Sequence, residues 1–382
     1  MPKDFASMED SNASANRSIH EVSDPARRVV LKAGAASALL FAGCAPMPDD
    51  AQAVLGFAAV PASRADSVTV PPGYVARVFA PWGEPVGIAG HMPAWRDDAS
   101  NSAADQAVQL GMHHDGLHFF PLGAGDARNR HGLLVMNHEY TDDGLLHVDG
   151  LANWSAEKVR KAQAAHGVSV IEVEMKNGQW QMVRPSRYAR RFTAFTPFAI
   201  GGPAAGHALM RTAADPAGRT VLGTLNNCAS GMTPWGTYLS GEENWAYYFD
   251  GPNQPDDDQR RYGLRTTGWH RWGPHDERFD AGWHPNEFHR FGWVVEIDPM
   301  DPSSTPVKRT ALGRAAHEGA WVAVTKDGRA VVYSGEDARF EYIYKFISRD
   351  RIAPGGGGLT KAQANRELLD HGTLYVARFD AD

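Results

Sequence analysis

Along this chain apolar positions come in short alternating runs cut by Gly, Asp, Asn and Pro, the rhythm of antiparallel strands rather than of helices. Two pairs of runs read as hairpins. Val168 to Met175 and Gln179 to Val183 flank Asn177-Gly178, while Trp321 to Thr325 and Arg329 to Tyr333 flank Asp327-Gly328, and such dipeptides supply the positive φ angles of tight turns. A weak internal echo joins three further runs, "LLVMNHE" (133–139), "TYLSGEE" (237–243) and "VVYSGED" (331–337), each ending in acid. Their likeness predicts an all-β chain whose runs are blades of one β-propeller. Residues 84–115 and 244–290 lack the rhythm, and loop or short-helix insertions are expected there. In residues 339–346 period two places Arg339, Glu341 and Lys345 on one face and Phe340, Tyr342, Tyr344 and Phe346 on the other, predicting a strand with a buried aromatic face. Thr373 to Phe379 reads as a last strand with no partner after it. The whole is short for a six-bladed ring at about 40–50 residues per blade, so the expected propeller is truncated at its C-terminal end.

Composition sharpens this picture in two ways. The 39 Gly, 24 Pro, 11 Trp, 11 Tyr and 16 Phe suit turns and strands, and 43% hydrophobic residues suffice for a large core. A net charge of −7 without clusters of Lys and Arg argues against a nucleic-acid partner and leaves carboxylates to spare for hard cations.

The N-terminus reads as an address. Arg27-Arg28 precede a modest apolar run from Ala33 to Ala42 that is too short to span a bilayer, as in a twin-arginine signal read by the Tat export machinery; the bland alternative is a chance Arg-Arg before a buried helix. Phe41-Ala42-Gly43-Cys44 resembles a lipobox with Phe at the usual Leu position, so Cys44 is either a lipid anchor or simply part of the signal. The organisation expected is a signal over 1–44, a small-residue linker over 45–69 and a propeller domain over 70–382, in an exported protein of the periplasm or cell surface. Cys228 is then the one remaining thiol, without an intramolecular partner in a disulfide-permitting compartment.

Chemistry concentrates in a few segments. His317-Glu318 and Glu336-Asp337 lie at the open end of one hairpin, where strands about 5 Å apart let carboxylates meet; they are either solvated turn acids or ligands sharing a cation such as Ca2+. Arg339 and Glu341 either neutralise each other or divide the work, the guanidinium holding a phosphoryl group and the carboxylate a metal. Cys228 sits in a polar, turn-rich stretch read as a loop, which leaves both a small buried residue and a thiolate ligand or nucleophile open.

The same segments carry a resemblance. "NNCASGMTPWGTYLSGEE" (226–243), "HRFGWVVEIDP" (289–299), "KRTALGRAAHEGA" (308–320) and "YSGEDARFEYIYKF" (333–346), with "HHDGLHFFPL" from His113 and "NHEYTD" from Asn137, resemble the signature blocks of the PhoX alkaline phosphatases. The resemblance implies a β-propeller that hydrolyses small phosphomonoesters at a cluster of Fe3+ and Ca2+ with a bridging oxo group, exported through the twin-arginine route and expected to be a monomer. It also implies that Cys228 ligates iron, that Glu243, Glu318 and Glu341 are metal ligands, that Glu139 is a further ligand, and that Arg339 binds the phosphate. Two rival readings stand beside it: a calcium-dependent propeller lactonase or esterase, which needs no lone Cys, and a non-catalytic surface propeller stabilised by calcium.

Overall fold

A computed structural model describes residues 57–379. The signal, Cys44 and residues 45–56 of the linker lie outside the described residues. The chain divides into two compact units, Met1–Arg77 and Val78–Asp382. In the described part of the first there is no helix or strand, and the rings of Phe57 and Tyr74 pack in a T-shaped pair with centroids 6.0 Å apart.

The second unit is all-β, propeller-like and built from three sheets. The first holds β1 (His114–Pro121), β2 (His131–His138), β3 (Gly167–Lys176), β4 (Gln179–Met182) and β5 (Arg190–Phe192), with β5 pairing β3 beside β4. The second holds β6 (Pro197–Gly201), β7 (Thr220–Leu222), β8 (Asn227–Met232), β9 (Tyr238–Glu242), β10 (Val294–Ile297) and β11 (Val307–Arg309) in the order β7-β6-β11-β10-β9-β8. The third, β12 (His317–Val324), β13 (Arg329–Glu336), β14 (Ile343–Arg351) and β15 (Gly372–Val376), is an antiparallel meander of the kind that makes a propeller blade. β6 and β11 run parallel, whereas the other paired strands run antiparallel.

Both hairpins read from the sequence form, by different turns. Asn177 and Gly178 both take positive φ, the primed turn whose twist suits its strands. At the second, Gly328 has positive φ and Thr325 bonds Arg329 in both directions, which makes a longer loop. The run 339–346 departs from expectation. β14 begins only at Ile343, because Phe340 takes a positive φ that ends extended geometry; Phe340 is 90% exposed and of the four aromatics Phe346 alone is buried.

Residues 244–290 form short helical turns, among them Trp245–Tyr248, Asp257–Arg261 and Pro285–Phe288. They also supply much of the core: Trp245, Tyr248, Trp272, Phe279 and Phe288 are buried in one cluster with Val168, Val170 and Val295 of the sheets. Each such ring contributes about 2–3 kcal/mol of burial, so this excursion is part of the fold rather than an appendage. Among the described residues the longest helix lies where the sequence reading expects none. Ala156–Ala165 starts at Ser155, whose hydroxyl accepts the Lys158 amide, and buries Val159, Ala162 and Ala165. An alanine face gives little hydrophobic contrast, so its period was hard to see.

Candidate metal centre

Three hairpins, β1–β2, β8–β9 and β12–β13, end in the same way. In each, a residue near the start of the first strand pairs with the last residue of the second: His114 with His138, Asn227 with Glu242, His317 with Glu336. The next residue on each strand is a potential ligand. This gives Asp115 and Glu139, Cys228 and Glu243, Glu318 and Asp337. A register break follows each first-strand ligand, between His114 and Leu117, Asn227 and Ser230, Glu318 and Trp321, and such bulges re-aim side chains. The outer acids are tied alike: the amides of Glu139, Glu243 and Asp337 donate to the carbonyls of His113, Asn226 and Ala316 at 3.1, 3.0 and 3.1 Å.

Small residues let these ends converge. A side chain on Gly231 of β8 would meet the Ala320 carbonyl of β12 at 1.9 Å, and one on Gly116 of β1 would meet the Cys228 carbonyl at 2.8 Å. This corrects the reading of Cys228 as a loop residue: it lies in β8, and the Ala-Ser-Gly that follows looks loop-like because two other strands crowd its backbone. The residues behind the ligands are buried and bonded. Asn137 donates to the Cys228 carbonyl at 2.7 Å and accepts from the hydroxyls of Tyr238 and Ser240 at 2.9 Å. Glu242, fully buried, accepts from Lys308 at 2.7 Å and from the amides of Gly292 and Trp293, fixing the strand that presents Glu243.

Two triads result, Asp115–Glu139–Cys228 and Cys228–Glu243–Glu318, with donor atoms in each within 4.8 Å of one another. Cys228 belongs to both. Its Sγ lies 3.4 Å from Asp115 Oδ2 and 3.7 Å from Glu318 Oε2. Desolvation and then repulsion by Glu243 and Asp115 push the Cys228 thiol far above its usual range. Burial, reinforced by Asp115, lifts Glu139 to about 7, and burial with Asp337 beside it lifts Glu243 to about 9; Glu318 is also raised, by burial and then Asp337. Crowded and desolvated in this way, Glu139, Glu243, Glu318 and the Cys228 thiol are pushed toward their protonated forms unless a cation enters, and a cation opposes each of these shifts. The donor set therefore fits bound metal.

The remaining two sequence-read residues stand apart from the triads. Glu341 receives a bidentate pair from Arg261, at 3.0 and 2.8 Å. Arg339 lines a cavity of about 440 Å3 together with Glu243, Glu336 and Asp337. The sequence singles out nothing at Asp115 and leaves Asp337 open between a solvated turn acid and a cation ligand, yet the hairpin repeat gives each a place equivalent to Glu318 or Glu243. The signal was present in the first strands: "HD", "NC" and "HE" occupy the same register position opposite "HE", "EE" and "ED".

An all-β protein in which three hairpin ends gather a thiol and carboxylates suited to a metal is the class that fold and site define. The chain belongs to the PhoX alkaline phosphatase family, whose model, described as alkaline phosphatase PhoX, matches residues 55–382. Its structure is similar to that of Pseudomonas fluorescens PhoX in complex with vanadate, a transition state analogue, with 51% sequence identity and a TM-score of 0.80 over 85% of this chain and 55% of that one. The chain thus spans a little over half the length of that relative. A search of the curated proteins found no match.

Proposed function

We propose that the chain hydrolyses phosphomonoesters at a centre of ferric iron and calcium held by the three hairpin ends. The observation that carries this reading is the pair of triads sharing Cys228, in a chain of this family. A soft thiolate among hard carboxylates suits a mixture of iron, which Cys228 would ligate, and calcium, which oxygen donors alone can hold. Glu243, Glu318, Glu139 and Asp115 complete the set. Bound cations would supply the positive charge that neutralises a phosphate dianion and makes water a competent nucleophile.

Within the chain, Arg339 is the phosphate contact. Its guanidinium, on the cavity that also reaches Glu243, matches two phosphoryl oxygens with paired N–H donors and so aligns the ester for attack. Water adds to phosphorus, the ester P–O bond breaks, and the departing alkoxide takes a proton to leave as the alcohol. Glu341 reaches a metal only by giving up Arg261, so ligation there and the Arg261 pair exclude one another.

The experiment is an assay of the purified chain supplied with iron and calcium, on phosphomonoesters, lactones and carboxylic esters in parallel. Phosphate release is expected, with Arg339→Ala slower by about a hundredfold or more. Turnover confined to lactones or carboxylic esters would transfer the reading to the rival hydrolase class, and no turnover of any kind in metal-replete protein would favour a binding propeller. Export is part of the same proposal, resting on Arg27-Arg28. Lysine at both positions is expected to leave the protein in the cytoplasmic fraction, and normal delivery of that variant to the periplasm would refute a twin-arginine signal.

A further inference from the structure

Beside the metal centre, residues 244–290 build a surface that the reaction as described leaves unused. The cavity lined by Glu243, Asp337 and Arg339 is also lined by Tyr247, Arg261 and Arg265 of this excursion. Its volume of about 440 Å3 falls in the range of small-molecule sites. Tyr247 is half-buried and stacks on Trp269, with ring centroids 4.4 Å apart and planes inclined by 22°. The stack is fixed by backbone, since the Trp269 amide donates to the Tyr247 carbonyl at 2.8 Å. The Arg265 guanidinium lies 4.9 Å from the Trp269 ring centre and 5.8 Å from that of Tyr247. Arg265 itself is held at the backbone, by a bridge to Asp250 and by its carbonyl, which accepts the Gly251 amide at 2.7 Å. Among the described residues Arg265 has no carboxylate in ion-pair range, whereas Arg261 is committed to Glu341.

Tyr247, backed by Trp269, and the cation of Arg265 wall the cavity where Arg339 holds phosphate, and such a wall selects for one kind of leaving group. We propose that this wall is a leaving-group subsite for planar aromatic phosphomonoesters, aryl phosphates and nucleoside monophosphates alike, with the ring lying on Tyr247 and Arg265 at its edge. The inference rests on the phosphatase reading above. A phosphoryl group on Arg339 directs its ester substituent into the cavity. There an aromatic ring gains stacking on Tyr247 and the attraction of the Arg265 cation, while a polyol gains neither.

The test compares p-nitrophenyl phosphate with glycerol 2-phosphate, and phenylphosphonate with methylphosphonate, on metal-loaded wild type, Tyr247→Leu and Arg265→Gln. Calorimetric binding of the two phosphonates reports the subsite without turnover. Wild type is expected to favour the aryl member of each pair, and each substitution to reduce that preference by about fivefold, through KM and binding rather than kcat. Arg265 is exposed, so its variant keeps the question open to refutation even if Tyr247→Leu folds poorly. Equal loss for aryl and alkyl ligands, or no loss for either, would overturn the subsite while leaving the phosphatase standing. If wild type hydrolyses neither ester and binds neither phosphonate, the phosphatase reading has failed and the subsite falls with it.

Discussion

Cys228→Ser is expected to abolish most phosphate release, by about two orders of magnitude or more, and to leave the protein nearly free of iron after purification, with circular dichroism close to wild type. The thiol is common to both triads, so its loss weakens two sets of donors at once. Serine preserves the size of a side chain that contacts Asp115 and Glu318, but a hydroxyl stays protonated where a cation would have ionised the thiol. The strands around it are held by bonds that do not involve sulfur, chiefly Asn137 to the Cys228 carbonyl and the β8–β9 ladder. Full iron and full activity in this variant would reduce Cys228 to a packing residue.

Metal removal is expected to make stability depend on pH with a definite sign. In the stripped chain Glu139 and Glu243 are raised from 4.5 to about 7 and about 9, mainly by burial. A folded-state value above the unfolded one contributes stability that is fully present below the unfolded value and is lost as pH rises through the folded one. The stripped protein should therefore melt progressively lower as pH climbs from about 5 to about 9. Loaded protein, whose ligands are ionised by the cations, should escape that loss, and the gap between the two melting temperatures should widen to on the order of 10 °C. The converse holds on acidification, where protons compete for the same carboxylates and metal is released. Calorimetry across this pH range on verified stripped and reloaded samples checks it; parallel curves would mean that the carboxylates are not a shared cation site.

The strands that lead into Glu139, Glu243 and Asp337 were legible because alternation with a Gly or His shortly before the acid recurs in sequence. Their partners were harder to see. Asp115, Cys228 and Glu318 precede bulges and glycines that exist so that sheets can touch, and those residues resemble loops when one strand is read without its neighbours. Strict alternation misled at residues 339–342, where Phe340 turns left-handed and the chain rounds a corner between β13 and β14. The excursion over 244–290 was visible as a break in rhythm, but its role as core was not. Burial of Trp245, Trp272 and Phe288 depends on which sheet lies beneath them, and local sequence carries no record of that.

The three hairpin ends are proposed to form one metal centre with Cys228 at its heart. Iron-edge X-ray absorption on the metal-loaded chain tests this most directly, because sulfur and oxygen neighbours scatter distinguishably. One sulfur among otherwise oxygen donors is expected around iron, lost in Cys228→Ser, with the oxygen shell altered by Glu243→Gln. An iron shell of light atoms alone in fully loaded wild type, unchanged by either substitution, would contradict it.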